Sequence, residues 1–106
     1  MAFNMDKYQK LAATTAIYPQ EKALEYLTLG LSAEVGELLG KVAKWYRKDG
    51  AYPHADVLDE LGDVLWFVSE IARQHNQPLS VLAQKNLDKL ASRMERGTLQ
   101  GSGDNR

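Results

Sequence analysis

Cysteine is absent from the 106 residues. That excludes disulfides, thiolate metal sites and a cysteine nucleophile, and it fits a reducing, cytoplasmic setting. Neither sign of charge is in excess: 13 basic and 14 acidic residues leave a formal net charge of -1, so no global field steers the chain toward nucleic acid or an anionic membrane. Long hydrophobic runs are also lacking. The N-terminus carries Asp6 and has no succession of basic, apolar and small regions, so neither a signal peptide nor a membrane span is expected. Proline occurs only as Pro19, Pro53 and Pro78, each where helical periodicity lapses, and these residues punctuate the chain into four segments.

What remains is helical patterning. With 44% hydrophobic residues the chain can build one modest core, hence one domain. Met5, Tyr8, Leu11, Ala12 and Thr15 recur at helical spacing behind Asn4 as N-cap, predicting a helix over 4–17. Leu24, Leu27, Leu31, Val35, Leu38, Val42 and Trp45 form a core stripe on a long helix over 20–48. Val57, Leu58, Leu61, Val64, Leu65, Val68, Ile71 and Ala72 do the same over 54–75, and Leu79, Ala83, Leu87, Leu90 and Met94 over 79–96. The expected fold is all-α, a four-helix bundle-like single domain over 1–96. The glycine-rich tail, 97–106, has no core pattern and reads as a flexible end or an arm on a partner subunit. Gly30, mid-helix at a cost of roughly 1 kcal/mol, hints that something approaches the backbone closely.

Four acids stand out. Glu34 and Glu37 lie three apart on the flank of the second helix, and Glu60 and Asp63 three apart on the flank of the third, so each pair projects from one face. Asp59 and Glu70 point the other way and are assigned to solvent. Helices joined by a short loop run antiparallel, so the four carboxylates are expected to meet across the interface. Clustered carboxylates in a partly dry site repel and call for bound cations. Oxygen ligands select Mg2+, with Mn2+ as a substitute, over zinc or copper. His54 and His75 do not supply the Glu-x-x-His spacing of di-iron bundles. Magnesium is commonly completed by substrate phosphates, so Lys89 and Arg93 on the basic edge of the fourth helix, with Asn86, become candidate phosphate ligands. The bland alternative is a non-enzymatic oligomerisation or regulatory module, its acids paired between subunits with Lys85, Lys89 or Arg93.

The stretches Leu29-Gly30-Leu31-Ser32-Ala33-Glu34-Val35-Gly36-Glu37-Leu38 and Asp59-Glu60-Leu61-Gly62-Asp63-Val64-Leu65-Trp66 resemble the paired Glu-x-x-Glu and Glu-x-x-Asp magnesium signature of the MazG-like nucleotide pyrophosphohydrolases. This is an all-α nucleoside triphosphate pyrophosphohydrolase superfamily that also includes dimeric dUTPases. Tyr8-Gln9-Lys10-Leu11-Ala12, Thr15-Ala16-Ile17-Tyr18-Pro19, Asn86-Leu87-Asp88-Lys89-Leu90 and the tail from Arg96-Gly97 to Arg106 are similar too. The resemblance implies Mg-dependent hydrolysis of a (deoxy)nucleoside triphosphate to monophosphate and pyrophosphate by a homodimer or dimer of dimers. It makes Glu34, Glu37, Glu60 and Asp63 the metal and catalytic acids, and by analogy places Gln9, Tyr18, Trp45 and Phe67 at the base pocket. Trp66 falls away from the acid face and is expected at a helix or subunit interface.

Overall fold

The side chain of Asn4 opens the first helix. Its backbone is extended (φ -150°), and its Oδ1 accepts a 2.8 Å hydrogen bond from the Lys7 amide. The protein is represented by a computed structural model that describes residues 2–47 and 50–106. The elements are α1 (Met5–Ala13), a 3-10 turn (Gln20–Lys22), α2 (Ala23–Tyr46), α3 (His54–Gln74) and α4 (Leu79–Glu95). Among the described residues there is no strand, as the periodicity implies.

The boundaries move inward from the expected ones for local reasons. α1 stops at Ala13 rather than Ile17, because Thr14 and Thr15 turn their hydroxyls back onto the carbonyls of Leu11 (2.6 Å) and Ala12 (2.7 Å), an alternative to the helical ladder. Residues 20–22 form a tight 3-10 entry rather than the first turn of α2. Lys48, the expected end of the second helix, lies outside the described residues. Asn76 takes a left-handed conformation (φ 55°), and the Gln77 amide bonds back to the Ala72 carbonyl at 2.9 Å, closing α3 before Pro78 starts α4.

α2 and α3 form an antiparallel hairpin. Gly30 meets Phe67, Glu34 meets Glu60, and Trp45 meets Tyr52, so numbers rise along one helix as they fall along the other. α1 packs on α3 and α4, while α4 touches only α1 and α3 and makes no contact with α2 among the described residues. Gln9 holds that three-helix junction. Its amide donates to the carbonyls of Ser69 (3.3 Å) and Gln77 (3.0 Å), and its carbonyl accepts from the Leu79 amide (3.0 Å). Asp6 caps α4 by accepting from the Ser80 amide (2.8 Å) and hydroxyl (2.6 Å).

The four expected helices are thus present, but the chain does not assemble them into a closed bundle, because α4 packs on α1 and α3 and not along α2. The consequence is exposed apolar surface. Among the described residues, buried apolar side chains are confined to Ala23, Leu27, Ala72 and Leu79, while Leu58, Leu61, Leu87 and Met94 from the predicted stripes are 55%, 45%, 58% and 67% exposed. The radius of gyration is 16.6 Å, against about 13 Å for a compact chain of this length. The accessible surface is 7784 Å², where a monomer of this mass is expected to show about 5,900 Å².

Two further expectations are revised. Glu70, assigned to solvent, is wholly buried: Arg73 bonds both of its oxygens (2.7 and 2.8 Å), and the Tyr18 hydroxyl donates to it. The tail does not trail free. Arg106 reaches back to the carbonyls of Thr98 (3.0 Å), Leu99 (3.0 Å) and Gly103 (2.7 Å), and Asp104 pairs with α4. Gly30 has the close neighbour its position implied, since any Cβ there would overlap the Phe67 ring. Gly30→Ala is therefore expected to cost about 1–3 kcal/mol by overpacking. Combining it with Phe67→Leu should recover part of that loss in denaturant titrations; a Gly30→Ala variant as stable as wild type would contradict this contact.

Candidate metal centre

The geometry of the hairpin decides which acids meet. On α2, Glu34 and Glu37 face α3; on α3, Glu60 faces back. One carboxylate oxygen from each of the three lies within 4.8 Å of the others, close enough for one cation to be shared. Glu34 and Glu60 are half-buried and Glu37 is exposed, so the trio sits in a cleft with one side open to solvent. The Oε2 atoms of Glu34 and Glu60 are both shielded and without any hydrogen-bond partner. A buried oxygen left unpaired is costly, and here two of the three clustered acids each carry one. Asp63 lies outside the tight trio, exposed one turn further along α3. Its charge is nonetheless felt at Glu34 and at Tyr8 of α1.

The electrostatics follow. Burial, then a hydrogen bond shared with Glu60 and the charges of Glu37, Asp63 and Glu60, push the Glu34 carboxyl up from 4.5 to about 7. Because the folded-state value is raised, the cation-free fold is favoured while Glu34 holds its proton. That contribution is fully present below the unfolded value near 4.5 and is lost as pH rises through about 7. A cation must displace the same proton, so its affinity rises with pH over this range. Glu70, eight residues after Gly62 on α3, shows the opposite outcome. Burial acts to raise its pKa, but the Arg73 and Tyr18 hydrogen bonds prevail and hold it below the usual value. The donor set of the trio, oxygen only, suits a hard divalent ion such as Mg2+ or Mn2+.

The flanks of the acid cleft differ. Beyond Gly30 lies an aromatic cluster: Tyr18 stacks on Tyr26 (centroids 5.1 Å apart, 21°), Tyr26 lies tilted over Phe67 (6.3 Å), and Trp66 stands edge-on to Phe67 (5.0 Å). Trp66 thus closes the cluster from α3 and donates its indole N–H to Thr15 Oγ1 at 2.8 Å, a helix interface within the subunit. At the other end, Trp45 stands edge-on to Tyr52 at 5.0 Å.

The remaining predicted residues are distributed as follows. Phe67 is on the acid face; Tyr18 is beside it but spends its hydroxyl on Glu70 and Gln74; Gln9 is buried and fully engaged with backbone. Trp45, 41% exposed, lies nearer the hairpin turn, against Tyr52. Among the described residues no hydrogen bond or ion pair joins Asn86, Lys89 or Arg93 to the acids. Lys89 Nζ and Arg93 Nη2 instead pair with Asp104 Oδ1 at 2.7 and 3.0 Å. Lys41 and Lys44, which sequence reasoning did not advance as ligands, line a cavity with Trp45. Their signal was available, because Lys41 sits one helical turn after Glu37. An apolar cavity of about 440 Å³ lies between Leu31, Ile71 and Leu82 and includes none of the acids.

A helical hairpin carrying three convergent carboxylates on an all-α scaffold forms a cluster of acids that could hold a metal ion. Residues 22–98 match the MazG nucleotide pyrophosphohydrolase domain, which spans the hairpin, the acid cleft and α4, and the chain belongs to that family. It is also 46% identical over 113 aligned positions to the Gene 37 protein of Mycobacterium phage L5, covering 97% of this chain and 99% of that one. No solved structure matches. Among the described residues no helix is long and apolar enough to cross a membrane.

Proposed function

We propose that the protein is a Mg2+-dependent hydrolase of (deoxy)nucleoside triphosphates, releasing the nucleoside monophosphate and pyrophosphate and so policing a cytoplasmic nucleotide pool. The observation that carries the reading is the pair of shielded, unpartnered oxygens of Glu34 and Glu60 in a cleft that Glu37 completes. Family membership narrows the chemistry from metal binding in general to pyrophosphohydrolysis.

Magnesium bound there would supply Lewis-acid charge for a phosphoanhydride whose own negative charge the carboxylates repel. Glu34, Glu37 and Glu60 would hold it, with Asp63 within reach of the same field. The protein's residues then divide the remaining work. Exposed Glu37 is placed to orient and deprotonate an incoming water. The water adds across the bond between the α- and β-phosphoryl groups: its oxygen joins one phosphorus, the bridging oxygen leaves with the other, and the proton passes to a carboxylate. The rigid hairpin, fixed by the Gly30–Phe67 contact, keeps the acids in register.

The reading includes a homodimer, or a dimer of such dimers. Its support is the apolar surface that one subunit leaves uncovered and the excess accessible area noted above, both of which a second copy would bury. Sedimentation at micromolar concentration is expected to give an even number of chains per particle, and a monomer would contradict it.

The activity is tested by incubating the protein with Mg2+ and a panel of ribo- and deoxynucleoside triphosphates and identifying products. Monophosphate and pyrophosphate in equal amounts are expected, with turnover reduced on the order of 100-fold or more in Glu60→Gln while the helical circular dichroism is retained. Orthophosphate as product, or no turnover with any nucleotide, sinks the reading.

A further inference from the structure

A helical hairpin is closed by its turn at one end only. Here the turn lies beyond Trp45, whose ring meets Tyr52. The acids Glu34, Glu37 and Glu60 sit between that end and the open one, where α2 begins and α3 finishes. Going from the acids toward the open end, successive turns of α2 carry Glu34, Gly30 and Tyr26, and those of α3 carry Glu60, Asp63, Phe67 and Glu70, three or four residues apart and so on one face of each helix. The first layer beyond the acids is the Phe67 ring on Gly30. The same antiparallel register brings Tyr26 opposite Glu70 in the next layer. Tyr18 joins these two.

Tyr18 belongs to neither helix. It comes from the segment between α1 and the 3-10 turn, yet it touches both arms of the hairpin. Its ring stacks on Tyr26 of α2, centroids 5.1 Å apart. Its hydroxyl donates to Glu70 Oε1 and accepts from Gln74 Nε2 at 2.9 Å and Arg73 Nη2 at 3.4 Å, all three on α3. Glu70 is wholly buried, and Arg73 Nε takes its other oxygen at 2.7 Å, so the α3 end is a fixed, charge-assisted anchor. Tyr26 in turn lies over Phe67, and Phe67 over Gly30, one turn from Glu34. Contacts therefore run from Glu70 through Tyr18, Tyr26 and Phe67 to the layer next to the acids. Thr15, in the same connecting segment, is placed differently: its hydroxyl accepts from Trp66 of α3 at 2.8 Å and donates to the Ala12 carbonyl of α1 at 2.7 Å, and neither partner is on α2.

We propose that Tyr18 is a positioning residue for the cation site, a cross-brace from Tyr26 to Glu70 that holds the open end of the hairpin together and keeps Glu34, Glu37 and Glu60 within reach of one ion. Facing carboxylates push the two helices apart. The chain itself resists that push at the turn, and the brace resists it at the open end. Without the brace the cation-free hairpin relaxes, and an incoming ion must first draw the acids together, which lowers its affinity. Glu70, an acid outside the metal cluster, then serves the cluster as the anchor of the brace. The inference rests on the cation-site reading of the acids and is independent of the reaction catalysed there.

The test is calorimetric titration of Mg2+ into the intact protein without nucleotide. Wild type is compared with Tyr18→Phe, Tyr26→Leu, the two combined, and Thr15→Val, each checked by circular dichroism to be folded at the titration temperature. Tyr18→Phe keeps the ring but cuts the α3 end of the brace; Tyr26→Leu cuts the α2 end. Each is expected to weaken Mg2+ binding about tenfold. The double variant should fall no more than about twofold below the weaker-binding single variant, since a brace cut at one end carries nothing at the other. Thr15→Val, which loosens the same segment without crossing the hairpin, should stay within about twofold of wild type. A merely structural role would lower the melting temperature of every variant and leave the Mg2+ affinity of the folded protein alone. Wild-type affinity in Tyr18→Phe overturns the brace, as do losses that multiply in the double variant or an equal loss in Thr15→Val. If wild type binds no Mg2+, the cation site falls and the proposed role of Tyr18 with it. If Mg2+ binds as described but no nucleotide is turned over, the brace stands and the hydrolase reading falls.

Discussion

The mutual repulsion of Glu34, Glu37 and Glu60 is the constraint around which the subunit is built. Helices bearing three facing carboxylates would separate or slip unless other contacts held them. The hairpin is pinned on one side of the acids by the Phe67 ring seated on Gly30 and on the other by the edge-to-face contact of Trp45 and Tyr52. Further out, the buried Gln9 amide fastens α1 to the ends of α3 and α4. None of these contacts touches the acids, yet each limits how far the acids can relax apart. Burial and, after it, the neighbouring carboxylates raise the Glu34 pKa in the folded state, a cost that a bound cation would relieve.

Two shielded glutamates on the hairpin contrast in what surrounds them. Glu70 is the more deeply buried, but Arg73 and Tyr18 satisfy its oxygens, and it behaves as an ordinary buried ion pair. Glu34 is only half-buried and has carboxylates for neighbours instead of cations. Burial pushes both carboxyls up; at Glu34 the neighbouring carboxylates add to that push, whereas at Glu70 the Arg73 and Tyr18 hydrogen bonds reverse it. The basic side chains are sorted by the same criterion: Arg73, Lys89 and Arg93 are committed to carboxylates within the chain, while Lys41 and Lys44 are not.

Much of this was legible in the sequence because helices report their own faces. The period of apolar residues located all four helices and put Glu34, Glu37 and Glu60 on one interface, and a glycine in mid-helix announced a close neighbour. What the period does not encode is which helix covers which stripe. Leu58, Leu61 and Met94 read as core but face outward, because α4 turns away after Pro78, and their pattern is equally that of a surface meant for another chain. Glu70 was misassigned since a wheel gives direction but not what lies there; Tyr18, 52 residues earlier, arrives only through the fold. The tie of Lys89 and Arg93 to Asp104 was not legible, because it depends on a tail whose folding rests on Arg106 reaching backbone carbonyls. Such contacts leave no periodic trace.

The most direct test of the central claim, that the carboxylate trio is a divalent-cation site, is calorimetric titration of Mg2+ into the protein without nucleotide at pH 6 and pH 8. With Glu34 raised to about 7, binding is predicted to be about tenfold tighter at pH 8, with close to one proton released per ion at pH 6, and to be lost in Glu34→Gln/Glu60→Gln. Equal affinity at the two pH values, or unchanged binding in the double variant, would contradict the account.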